Sequence, residues 1–230
     1  MSDFLDASVP LSQYTQAFGD TLYMVCVALF IGSVIGIPVG VLLAITRKDG
    51  LRENRIVYVV LNTVVNIVRS VPFIILMVAI MPFTRLVVHT SIGTNAAIVP
   101  LVVYVIPYIG RLIESAILEV DSGIYEAAES LGAGTIETIR YFILPEAKGS
   151  MVLALTTATI GLIGATAMAG TIGGGGIGDL AISYGYQQFD TVVILVTVVI
   201  LIVIVQLVQS FGNWYAPVSY THLTLPTTPY

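Results

Sequence analysis

The sequence predicts an all-α polytopic membrane protein with five transmembrane helices, and three observations carry that prediction. Hydrophobic residues make up 57% of the chain and charged ones only 10%, against about a quarter charged in soluble domains. The apolar residues gather in long runs separated by short polar connections, each run able as helix to cross a ~30 Å hydrocarbon core. The nine basic residues crowd into some connections and avoid others, which sets an orientation by the positive-inside rule. With mean hydropathy +0.95, the 230 residues are nearly used up by spans. No room remains for a soluble nucleotide-binding or receptor domain. The single cysteine, Cys26, excludes an intrachain disulfide and reads as packing, and two histidines make no convincing metal site.

Residues 1–19 hold Asp3 and Asp6 but no Lys or Arg, and lack the pattern of a cleavable signal peptide. They are expected as an amphipathic or irregular external leader. The first span, Thr21 to Ile45, exceeds the core thickness as helix and tilts. Gly32, Gly36 and Gly40 recur along it every four residues. That row is either a smooth face for close helix approach or the ordinary glycine content of membrane helices. Thr46 to Arg55 carries Arg47, Lys48, Arg52 and Arg55, and is predicted to be cytoplasmic.

The second span is expected from Ile56 to about Phe83. It contains Arg69 near its middle, where an unpaired charge costs at least ~2.5 kcal/mol. Asn62, Asn66 and Arg69 form one polar stripe at i, i+4 and i+7, which fits a pathway-lining or subunit-facing surface and fits equally a structural hydrogen-bonded row. Pro82 to Asn95 holds only Arg85 and His89 and is placed outside. The third span, Ala96 to roughly Ile113, contains Pro100 and Pro107, and sets Arg111 and Glu114 to pair at i, i+3.

Between the third and fourth spans lies the one long polar interval. Glu126, Ala127 and Ala128 begin a short helix that Gly132 interrupts. A second run, Thr135 to Ile143, places Ile136, Ile139 and Ile143 at helical spacing before Pro145, which is expected to stop it. Helix, bend and second helix would present a compact knob to a soluble partner, although a solvated connection is the plainer reading of such a loop.

The fourth span, Met151 to Ile172, is rich in Ala, Thr and Gly and predicted to be an interior helix. Met168 near its end is flexible enough to help close a pore or simply to pack. The run Thr171 to Asp179 is glycine-rich but lacks the Lys-Ser/Thr ending of a phosphate loop. Gly173 to Asp190 is therefore read as an outer loop, with Tyr184 and Tyr186 at the interface. The fifth span is Thr191 to Phe211. The count puts the N-terminus outside and the C-terminus inside. Residues 218–230, polar and proline-rich without Lys or Arg, read as a non-native tail and are set aside.

Glu126-Ala127-Ala128, three residues, Gly132, nine residues, then Phe142-Ile143-Leu144-Pro145 resembles the EAA loop of binding-protein-dependent ABC importer permeases, with Phe142 at a position that is usually aliphatic. Arg69-Ser70-Val71-Pro72-Phe73 resembles a segment of amino-acid-importing members. Over about residues 12 to 215 the chain is similar to the permease subunits of methionine importers. The resemblance implies a type I importer fold with a permease domain over residues 20–215 and a cytoplasmic coupling loop at about 119–149. It implies that Glu126, Ala127, Ala128, Gly132, Leu144 and Pro145 couple to an ATPase, while Asn62, Asn66, Arg69 and Met168 are candidates for the path or gate.

The implied partners are a cytoplasmic ABC ATPase pair, an extracytoplasmic substrate-binding lipoprotein and a second copy of this chain, in a bacterial inner membrane. No nucleic acid is expected. ATP and magnesium would sit on the ATPase, and this chain would bind no cofactor and perform no covalent chemistry. The implied cargo is D- and L-methionine. Another amino acid or small organic ion, an ATP-independent carrier or channel, and a purely structural membrane subunit are the other readings open to the sequence.

Overall fold

A computed structural model describes residues 9–216. The first eight residues of the leader and the whole of segment 218–230 lie outside the described residues. Ten α-helices follow in order: α1 Leu11–Thr46, α2 Arg55–Ser70, α3 Phe73–Ala79, α4 Met81–Val88, α5 Thr94–Leu118, α6 Ser122–Ser130, α7 Thr135–Glu137, α8 Leu144–Gly170, α9 Gly176–Leu180 and α10 Thr191–Tyr215. Two π turns, Thr138–Ile143 and Ala181–Tyr186, join α7 to α8 and extend α9.

Among the described residues four helical rods are long and apolar enough to cross a membrane, and the bent pair α2 and α3 is a candidate for a fifth, broken span. The first rod begins at Leu11 and takes in much of the expected leader. It packs along α5, and the glycine row is the reason it can. Gly32, Gly36 and Gly40 are buried. A Cβ on Gly36 would sit 2.9 Å from the Ile106 carbonyl oxygen, and one on Gly40 would sit 2.5 Å from that of Gly110. Glycine therefore sets the distance between the two helices, and Val105, Ile109 and Ile113 of α5 are fully enclosed. Lipid solvates Leu and Val as well as a protein core does, so close backbone approach is what favours this seam.

The second span is not one straight helix. Its two parts meet at 102° because Pro72 has no N–H to give the preceding turn and forces Val71 out of the helical region, to φ −85°, ψ 124°. Asn54 starts α2 by accepting from the N–H groups of Ile56 and Val57.

Pro145 does not stop its helix either. The chain is helical from Thr135 through Gly170. Ahead of Pro145 it widens into the Thr138–Ile143 π turn, where the Leu144 N–H reaches back to the Ile139 carbonyl. A wider turn spares the proline ring the clash with the carbonyl four residues earlier.

The glycine-rich segment after α8, expected as an outer loop, is largely helical and half buried in the bundle. Ile177 and Leu180 of α9 are enclosed where α9 packs against α1 and α8. The Ile177 N–H donates to the buried Thr21 hydroxyl, 2.9 Å away, and that hydroxyl donates to the Ala17 carbonyl.

Candidate functional site: a protruding helical hairpin and the seam beneath it

The polar interval forms a hairpin at the end of the bundle that also carries the Arg47 turn. Asp121 opens α6 by accepting from the Gly123 N–H at 2.7 Å. Glu126 and Ala127 face outward, whereas Ala128 is fully buried, so the three consecutive residues divide between contact and packing. The helix closes at Gly132, whose φ is +72°. The N–H of Ala133 returns to the Ala128 carbonyl, and that of Gly132 to Glu129. A Cβ at Gly132 would meet nothing within 4 Å. The requirement there is backbone conformation and not space. Glu137 then accepts from the Gly134 N–H at 2.8 Å and starts the second helix. Leu144 is half-buried and Pro145 exposed. Ser150 ties the base of this helix to α5 by donating to Glu119.

Two large aliphatic side chains remain uncovered on this polar hairpin. Leu131 is 75% exposed and Ile136 79%, one on each side of the Gly132 turn. Burial against Arg47 and its neighbours also raises the Tyr125 phenol above its ordinary pKa, with desolvation outweighing the opposing Arg47 charge. An open recess of about 570 Å³ lies there, lined by Arg47, Asp49, Tyr125 and Glu126 among others.

Below the hairpin, α2 and α5 meet in a polar seam. Arg111 and Glu114 pair as the spacing predicts, at 2.6 Å. The same guanidinium donates to Asn62 Oδ1 at 2.5 Å and to Asn66 Oδ1 at 2.9 Å. Asn62 and Asn66 thus bind α2 to α5. Arg69, one turn further, leans over the Tyr108 ring, 5.9 Å from its centroid. Tyr108 stacks on Tyr104, and Phe73 meets Tyr104 edge-on. Sequence reasoning missed both tyrosines. Their i, i+4 spacing, with Arg111 continuing the face at i+7, was the available signal. Met168 stands apart from this seam, 47% exposed on α8.

Similarity to known proteins agrees with this layout. The profile of the family described as binding-protein-dependent transport system inner membrane component matches residues 36–217. The chain belongs to that family.

Among this family's members, the probable D-methionine transport system permease protein MetI of Vibrio cholerae is 53% identical over 193 residues, covering 84% of this chain and 86% of its own. The D-methionine transport system permease protein MetI of Escherichia coli K12 is 48% identical over 151 residues, 66% of this chain and 70% of its own. A solved structure of the MetNI methionine ABC transporter in an inward-facing conformation contains a chain that superposes with a TM-score of 0.88 at 42% identity. That match covers 90% of this chain and 95% of the other. The chain is accordingly an inner-membrane transport component.

Proposed function

We propose that this chain is the permease subunit of an ATP-driven importer that takes methionine, in both D and L forms, across the bacterial cytoplasmic membrane. The cargo reading is supported by the relatives' transport of methionine and by the likeness to the MetNI permease chain. The coupling reading is carried by one observation, the exposure of Leu131 and Ile136 beside Glu126 and Ala127 on a hairpin outside the bundle. Uncovered aliphatic groups within a carboxylate-rich knob suit a groove on a soluble partner.

In this account a binding lipoprotein delivers the amino acid at the outer face, and two permease copies enclose the path. A pair of ATPase chains holds ATP and magnesium and closes on them. Closure pushes α6, and the push enters the membrane through a stiff element, because Thr135–Gly170 is one continuous rod. The N-terminus lies outside and the C-terminus inside, with 46–55 and 119–149 cytoplasmic. ATP hydrolysis takes place on the partner. The exposed face of α8 that carries Thr157, Gly164 and Met168 supplies the seam between copies, since small and polar residues associate in lipid where Leu and Val gain nothing.

The test is cross-linking in a Cys26→Ala background. Ala127→Cys is expected to join the ATPase through a short bifunctional maleimide, with yield that changes on ATP addition. An ATPase that co-purifies with the permease yet never cross-links at Ala127 or at Glu126→Cys would overturn the docking role.

A further inference from the structure

Two arginines stand along the α2–α5 seam, Arg111 partly buried and Arg69 exposed, and only Arg111 is paired with a carboxylate among the described residues. Arg111 has Glu114. Among the described residues no carboxylate lies within 4.0 Å of Arg69, although Arg69 is next to last in the 16-residue α2. An upright helix of that length carries it roughly 20 Å from the basic end, beyond the middle of a ~30 Å core. An arginine there needs water or an anionic partner. The helix breaks immediately afterwards, at Val71-Pro72, which is the kind of discontinuity that lines cavities and not lipid.

The side chain that Arg69 leans on is aromatic. Tyr108 lies under the guanidinium at 5.9 Å, Tyr104 stacks at 5.9 Å from Tyr108, and Phe73 closes the row at 5.3 Å from Tyr104. Both tyrosines are only partly buried. Gly161 of α8 packs closely on the Tyr108 ring, where a Cβ would come within 3.2 Å of it. A fixed guanidinium fork recognises a carboxylate, and tyrosine faces receive an ammonium group or a polarisable thioether.

We infer that Arg69, Tyr104 and Tyr108 form a station at which a free amino acid pauses on its way through the permease, its carboxylate on Arg69 and its ammonium or side chain against the rings. The station rests on the importer reading and names the residues that hold the cargo. Asn62 and Asn66 are occupied with Arg111 and hold the station's helices together without touching the amino acid.

The experiment uses the complete transporter, two permease chains with the ATPase pair and binding protein, in proteoliposomes. Uptake of radiolabelled methionine is expected to fall about tenfold or more in Arg69→Gln with ATPase association intact. Arg69→Lys, which keeps the charge without the fork, should lie between. Irradiation of the wild-type complex with a diazirine analogue of methionine should attach label to the α5 peptide containing Tyr104 and Tyr108, and excess methionine should suppress it. Full uptake by Arg69→Gln would overturn the station. So would competed label confined to other helices, or no competed label from a complex that transports the analogue. A wild-type complex that imports no methionine would instead refute the importer reading, which is a separate failure.

Discussion

The Arg111 guanidinium on α5 donates to the Asn62 carboxamide on α2 across 2.5 Å, while its other terminal nitrogen holds Glu114 at 2.6 Å. One side chain thereby neutralises a carboxylate that is only 4% exposed and fastens two helices whose backbones are 49 residues apart. The pairing with Glu114 follows from local spacing, but the bond to Asn62 does not. The seam between α2 and α5 depends on it.

Removing one member of such a pair strands the other. Arg111→Ala should destabilise the chain by about 3–5 kcal/mol by leaving Glu114 enclosed without its cation. Replacing both, as Arg111→Met with Glu114→Met, should recover most of that loss, because the desolvation cost disappears with the charges. Thermal unfolding in a mild detergent distinguishes them. Equal melting of the single and double variants would contradict the assignment.

At Gly132 the space beside the backbone is open and the φ is +72°, so a substitution should be judged by backbone preference alone. Gly132→Asn should preserve ATPase association, since Asn tolerates the left-handed region, whereas the β-branched Gly132→Val should lose most of it. Co-purification of the ATPase at matched permease expression reads the difference. Association that survives equally in both variants would remove the conformational requirement.

Thr21 serves α9 from a distance of 156 residues in sequence. Thr21→Val keeps the shape and leaves the buried Ile177 N–H without an acceptor, at a cost of about 1–3 kcal/mol. Thr21→Ser should retain the bond and most of the stability. A lowered melting temperature in the valine variant, and little change in the serine one, is the expected pattern.

Gly40 and Gly164 give a paired comparison within one chain. A Cβ at Gly40 would collide with the Gly110 carbonyl oxygen and the Ile113 side chain, whereas at Gly164 it meets nothing within 4 Å. Gly40→Val should therefore spoil the α1–α5 seam and lower the yield of folded protein, and Gly164→Ala should leave the chain's own fold intact. Size-exclusion profiles of the two variants supply the check.

The apolar spans were legible because their length and composition decide them without help from neighbours. So was the Arg111–Glu114 pair, which local helix geometry settles. The polar periodicity of Asn62, Asn66 and Arg69 was equally visible, but the partner that occupies the two asparagines lies on another helix. Pro72 was legible only as part of the Arg69–Phe73 segment within one expected span, and the 102° bend it causes came from the structure. Pro145 misled in the opposite direction, since a π turn, which has no sequence signature of its own, absorbs it. The segment from Gly176 to Leu180 read as loop for its glycines, and those same small residues are what let it fit between α1 and α8. Gly132 was legible as the interruption between two short helices, while the backbone conformation it adopts there required the φ.

Methionine accumulation in proteoliposomes holding the permease, its ATPase pair and the binding protein tests the central claim most directly. The account predicts uptake that requires ATP inside the compartment facing the α6 hairpin, ceases when ATP is replaced by a non-hydrolysable analogue, and is lost on Gly132→Val while the complex's membrane insertion persists. Accumulation at the same rate without ATP, or from vesicles containing the permease chain alone, would contradict it.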